Sequence, residues 1–259
     1  MTVGFLGGII AGLFFGLYPI PRRYVKFGIN DYMISMSLGV LVCGIITAFM
    51  SRASLFTLSI NQWIIGILAG SSWCLATILY VYAVDCIGIG RATPIKNLTA
   101  ILGIIFGLTI FQEYQSLTIV KSIYLIIGTG LLIFSGKILG AIQGQEEISR
   151  PSCPVKIIVP DFFNKDKKTS LTAGWILALG AAFMYAVFSI PVRILSDTTE
   201  TVFQFLPAVA LGALITSILL DQFFTSQHTW SKISARGHLL ALFSGGLWTV
   251  AFIGLSTGS

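Results

Sequence analysis

Apolar residues in this chain come in long unbroken stretches, not in alternation. Eight such runs lie near 3–21, 33–50, 63–84, 92–112, 122–142, 171–191, 202–220 and 238–255. A helix needs roughly 17–25 residues to cross ~30 Å of hydrocarbon, and these runs meet or approach that length. Helices are expected because a backbone in lipid must satisfy its own polar groups. Continuous hydrophobicity argues against a transmembrane barrel, whose strands alternate. The pattern predicts an all-α membrane protein, a polytopic bundle of about eight transmembrane helices. The first run is expected to be a retained span and not a signal peptide. No Lys or Arg precedes it, and Pro21, Arg22 and Arg23 follow where a small-residue cleavage site would stand.

Composition sharpens this picture. The 259 residues are 55% hydrophobic and 10% charged, with a mean hydropathy of +0.89. Soluble domains are ~25% charged, so a water-soluble domain, a disordered chain and a collagen-like chain are all excluded. The net charge of +6 would suggest nucleic acid on a soluble protein. Here no nucleic-acid partner is expected, and the partner is the lipid bilayer. If the loops alternate sides, one side carries thirteen of the sixteen Lys and Arg, and the other only Arg52, Lys121 and Arg193. The rich side should be cytoplasmic, which places the N-terminus outside a plasma-membrane protein. The linker 143–170, with Pro151, Pro154 and Pro160, then lies in the cytoplasm. Of the four cysteines, none forms a C-x-x-C pair, so neither a disulfide framework nor a zinc site is expected.

The two sides of the linker resemble each other. Residues 4–23 read GFLGGIIAGLFFGLYPIPRR and residues 174–193 read GWILALGAAFMYAVFSIPVR. At an offset of 170, Ile20–Pro21 falls on Ile190–Pro191 and Arg23 on Arg193. At an offset of 175, Gly70 falls on Gly245 and Trp73 on Trp248. This divides the chain into a first five-helix repeat (1–142), the linker (143–170) and a second repeat holding only its first three helices (171–259). A repeat with an odd number of spans makes its second copy enter the membrane from the other side. Inverted repeats are a recurring design of secondary transporters, with solute bound between the halves near the midplane.

Two five-helix inverted repeats resemble the drug/metabolite transporter superfamily. So does the segment 94–113, PIKNLTAILGIIFGLTIFQE, which is similar to that superfamily's fourth helix. It has a proline near its start, small residues within and a glutamate at its end. The next run, with Gly128, Gly130 and Gly136, is similar to the glycine-rich fifth helix there. The glycine and tryptophan content is most similar to the glucose/ribose porter and rhamnose permease branches. The resemblance implies a sugar transporter of ten helices, against which this chain reads as C-terminally truncated.

Several residues could carry function. Gly70, Trp73, Thr77 and Tyr80 share one face of the third run by spacing. Aromatic faces can stack on sugars and hydroxyls can bind ligand oxygens, so Trp73, Thr77, Tyr80 and the repeat mate Trp248 are candidate solute contacts. Residues 98–112 alone give a helix of ~22 Å, short of the core, so the fourth helix should extend back toward Ala92. That brings Lys96 and Asn97 to the membrane edge or just inside. Snorkelling to the surface is the expected fate of Lys96, and binding of a hydroxyl or an anionic group is the alternative. Glu113 is the coupling candidate, although no Asp or Glu is expected mid-span. Gly4, Gly8, Gly12 and Gly16 recur every four residues, as do Gly103 and Gly107, and helix packing is expected of both rows. The second row could also form a homodimer seam. Pro21 and Pro191 should end the first helix of each repeat, or act as paired hinges.

No phosphate-binding loop, nucleophile elbow or H-E-x-x-H pair occurs, so no catalytic residue, metal or cofactor is expected. The sequence thus predicts a secondary transporter for a small polar solute, a sugar first. Export of amino acids or other metabolites, and a non-transporting truncated protein, are the competing expectations.

Overall fold

A computed structural model describes residues 2–25, 28–50, 58–116, 118–143, 167–195, 199–224 and 234–256. These residues form nine α-helices: α1 (Thr2–Leu17), α2 (Ile29–Met50), α3 (Ile60–Ile87), α4 (Ile89–Lys96), α5 (Thr99–Thr109), α6 (Ile119–Gln143), α7 (Lys167–Leu195), α8 (Thr199–Phe224) and α9 (Ala235–Ser256). Six stretches among them are long and apolar enough to cross a membrane, the fourth running through α4 and α5 as Gly90–Thr109. The expected first and fifth spans coincide with shorter apolar helical stretches, Leu6–Arg22 and Ser122–Leu131. The linker between α6 and α7 lies outside the described residues.

The contacts divide the chain into two compact units. One comprises 1–74 with 191–259, the other 75–190. Helices α3 and α7 each contribute one part to either unit.

In the first unit α2 packs on α8 and α9, and α1 packs on α9. Met33, Met36 and Val40 of α2, Phe205, Leu206 and Val209 of α8, and Trp248 and Phe252 of α9 fill its core. Glycines let the backbones touch. A Cβ on Gly245 would strike the Met36 carbonyl and the Val40 nitrogen, and one on Gly39 would strike the Leu242 carbonyl. The same pattern recurs between α8 and α3. A Cβ on Gly70 would strike the Val209 carbonyl and the Ala213 nitrogen, and one on Gly212 the Ile67 carbonyl. Packing at this closeness needs a hydrogen in place of a side chain.

Helix α1 turns a different row inward from the one expected. Gly7 and Ala11 meet Gly254 of α9. Gly8, Gly12 and Gly16 face open space, with nothing within 4 Å of an added Cβ, and the surroundings of Gly4 are not among those described. Periodicity identified a small-residue row but could not say which of two adjacent rows packs. The prolines also behave differently. Helix α1 stops at Leu17, before Pro19, and Pro21 sits in a 3-10 turn over Ile20–Tyr24. Helix α7 instead runs through Pro191 to Leu195. The reason is Pro19, whose counterpart is Ser189. A second proline drives the residue before it out of the helical region.

In the second unit α3, α4 and α7 bury Ala83, Ile87, Ala92, Ile95, Leu177 and Ala178 against each other. Gly174 of α7 meets Cys86 and Ile87 of α3 too closely for any side chain. Gly88 breaks α3 from α4 with a φ of 79°, a backbone conformation that favours glycine. Cys43 and Cys74 are free, whereas Cys86 is disulfide-bonded to a partner outside the described residues. That bond departs from the expectation of no disulfide framework, and the spacing of the four cysteines carries no sign of it.

Candidate functional site

The candidate solute contacts fall into two constellations, one in each unit. In the second unit three helices converge: α3 brings Thr77 and Tyr80, α4 brings Thr93 and Lys96, and α7 brings Tyr185. The Tyr80 hydroxyl is hydrogen-bonded to Thr93 Oγ1 at 2.8 Å, and the Tyr185 hydroxyl to Thr77 Oγ1 at 2.9 Å. Each ring is thereby tethered at its polar tip. Lys96 Nζ lies over both, 5.4 Å from the Tyr80 centroid and 5.4 Å from the Tyr185 centroid. Among the described residues nothing gives this ammonium a hydrogen bond or an ion pair.

In this arrangement the ammonium rests on two aromatic faces. A cation over an aromatic face gains about 0.5–2 kcal/mol, more as water is excluded. A lysine at the centre of a membrane helix costs ~2.5–3.5 kcal/mol on insertion scales. Two rings therefore offset much of that cost where the lysine already lies, and the side chain has less to gain by reaching for the surface.

The backbone beneath Lys96 is broken. Helix α4 ends at Lys96 and α5 begins at Thr99, where one continuous helix was expected. The amide of Leu98 bonds Ile95 O, and that of Ala100 bonds Asn97 O, so both take the tighter 3-10 spacing. The Lys96 carbonyl thereby loses its usual partner four residues on. Thr99 Oγ1 replaces it, donating to Lys96 O at 2.6 Å and to Ala182 O of α7 at 3.0 Å. Pro94, within α4, removes a further helical amide. Discontinuous helices are where transporters commonly build solute sites. Asn97 caps α4 and is half-buried, its backbone amide bonded to Thr93 O.

Glu113 follows Gln112, whose φ of 53° lies in the left-handed region. The turn folds its carboxylate back over α5, so that a Cβ on Gly107 would sit 2.9 Å from Glu113 Oε2. Gly107 makes room for a carboxylate and not for a helix, and Gly103 has nothing within 4 Å.

In the first unit Trp73 and Trp248 meet each other, centroids 4.3 Å apart and planes at 37°. Phe252 stacks on Trp248 at 5.1 Å, and Phe205 meets Phe252 edge-on. Both indoles are buried, at 1% and 2% exposure. Their faces are occupied by one another and by phenylalanine, so they do not offer the open sugar platform expected from their spacing. Nearby, Ser35 Oγ is hydrogen-bonded to His238 Nδ1 at 2.9 Å, Arg22 lies over the Tyr32 ring at 5.3 Å, and Ser244 donates to Tyr18 O.

Sequence reasoning missed Tyr185, Thr93, and the buried carboxylates of Asp31 and Asp221. The two aspartates flank the apolar runs, and only the helix ends reveal that they are enclosed. Thr93 lies three residues before Lys96, a spacing that marks one helix face. Nothing local signalled Tyr185, which lies on a helix far along the chain.

No curated protein and no solved structure matches this chain. From residue 6 to residue 257 it does match the family described as sugar transport protein. With six helices among the described residues long and apolar enough to cross a membrane, the chain belongs to the sugar transport protein family and is a multi-pass membrane protein that carries sugar.

Proposed function

We propose that this protein is a secondary transporter that moves a small sugar by alternating access between two inverted repeats. The observation that carries the proposal is the recurrence of one helix crossing. Gly245 meets Met36 and Val40, as Gly70 meets Val209 and Ala213, while Gly39 meets Leu242 as Gly212 meets Ile67. The partners correspond at offsets of 173 for α2 with α8 and 175 for α3 with α9. A two-fold axis that exchanges the repeats would produce this correspondence, and Trp73 would then pair with its own mate, Trp248. Five spans per repeat make that axis lie in the membrane plane.

In this reading the N-terminus is outside the plasma membrane and the linker 143–170 is cytoplasmic. Thr77, Tyr80, Lys96 and Asn97 contact the solute. Trp73 and Trp248 hold the repeats together as a packed contact. The broken span of α4 and α5 supplies the local backbone freedom that a moving site requires. Glu113 is the coupling candidate at the end of that span.

Proteoliposome uptake of a panel of labelled monosaccharides tests the proposal. Saturable flux that accelerates when unlabelled sugar is loaded on the far side is expected, because exchange needs a site open to one side at a time. Flux equal to that of protein-free vesicles would reject it.

A further inference from the structure

We infer that the Lys96 cluster selects a sugar carrying a carboxylate over a neutral one. The inference rests on the transporter reading above and names the solute class of that site. It begins with what the two tyrosine rings do and do not provide. They attract the ammonium by their faces, at 5.4 Å each, but a ring face offers no lone pair of the kind a carbonyl or carboxylate does. Lys has three N–H donors, and among the described residues none of them reaches an acceptor. The hydroxyls of those two tyrosines are engaged with threonines, Tyr80 with Thr93 and Tyr185 with Thr77. The Lys96 carbonyl is taken by Thr99. The cluster therefore holds a cation in place and leaves its hydrogen-bonding capacity for something else.

That something is best an anion. A unit positive charge in a low-dielectric surrounding attracts a negative group far more than in water. Charge-assisted hydrogen bonds are roughly twice as strong as neutral ones. One ammonium balances one negative charge, which fits a carboxylate. A phosphate monoester would bring nearly two charges and leave one uncompensated. The tethered hydroxyls of Tyr80 and Thr93 can each also accept a hydrogen bond, which suits the hydroxyls of the same solute. A sugar acid of the uronate type presents both features on one ring.

The test uses the full chain in proteoliposomes, with labelled glucuronate and labelled glucose bound side by side. Wild-type protein is expected to bind glucuronate at least about tenfold more tightly than glucose. Lys96→Met should abolish that preference. Lys96→Arg should keep it, because guanidinium retains the charge and stacks on aromatic faces. Equal affinity for the two sugars in the wild type overturns the inference without any variant. A Lys96→Met protein that elutes as folded and keeps the preference overturns it too. If glucose is carried and glucuronate is not, this inference falls while the transporter reading stands. If no sugar binds or moves at all, the transporter reading falls and takes the inference with it.

Discussion

Trp73 and Trp248 give up nearly all of their surface to each other and to Phe252. Large-to-small changes at such a position leave a void and cost ~3–5 kcal/mol. Trp73→Ala should therefore lower the unfolding temperature in detergent markedly, and Trp73→Phe should lower it less. A Trp73→Ala protein as heat-stable as wild type would show that the indole is not core. Counting offsets along the chain was enough to match these two tryptophans as repeat mates. It could not show that their faces are spent on one another, because that depends on how α3 and α9 cross. Lys96 was similarly legible as an unusual charge inside an apolar run. Its setting was not, since Tyr185 stands on α7 and only tertiary packing brings it over the ammonium.

Among elements, the glycines separate into two classes that sequence alone does not distinguish. Gly70 and Gly245 sit where a Cβ would enter a neighbouring backbone, and backbone cannot swing aside as a side chain can. Gly70→Ala and Gly245→Ala should each destabilise the protein by about 1–3 kcal/mol or more, by similar amounts if the crossings are equivalent. Gly8→Ala and Gly12→Ala face open space and should be neutral or stabilise by up to ~1 kcal/mol through helix propensity. Thermal unfolding of the four variants in one detergent checks both halves of the statement. The four-residue spacing of Gly8 and Gly12 was visible, but inward and outward rows differ by one residue, as Gly7 and Gly8 do. Pro94 was visible near the start of the fourth span, which was nonetheless expected to be one continuous helix. The break itself falls three residues later, where the amides of Leu98 and Ala100 change partners, and no residue type marks that place.

At the scale of the whole molecule, the repeats and the compact units cut the chain differently. The internal similarity divides it at the linker, whereas the contacts group 1–74 with 191–259 and leave 75–190 apart. Apolar run lengths carried the helical, membrane-spanning character almost completely. They could not give the grouping, because α3 and α7 each continue from one unit into the other. The inversion of the repeats has a direct test. In a background with Cys43 and Cys74 replaced by alanine, Tyr24→Cys should react with an impermeant thiol reagent only from the cytoplasm. Ile194→Cys should react only from outside. Labelling of both from one side would falsify the inversion.

Thr99 has a single hydrogen to share and two carbonyl oxygens within reach, Lys96 O and Ala182 O. One torsion angle decides which of them receives it. If α5 draws away from α7, the hydroxyl can swing wholly to Lys96 O and keep the helix break sealed. The seam between these helices is thus a slip joint and not a weld: it can part without stranding the donor that bridges it.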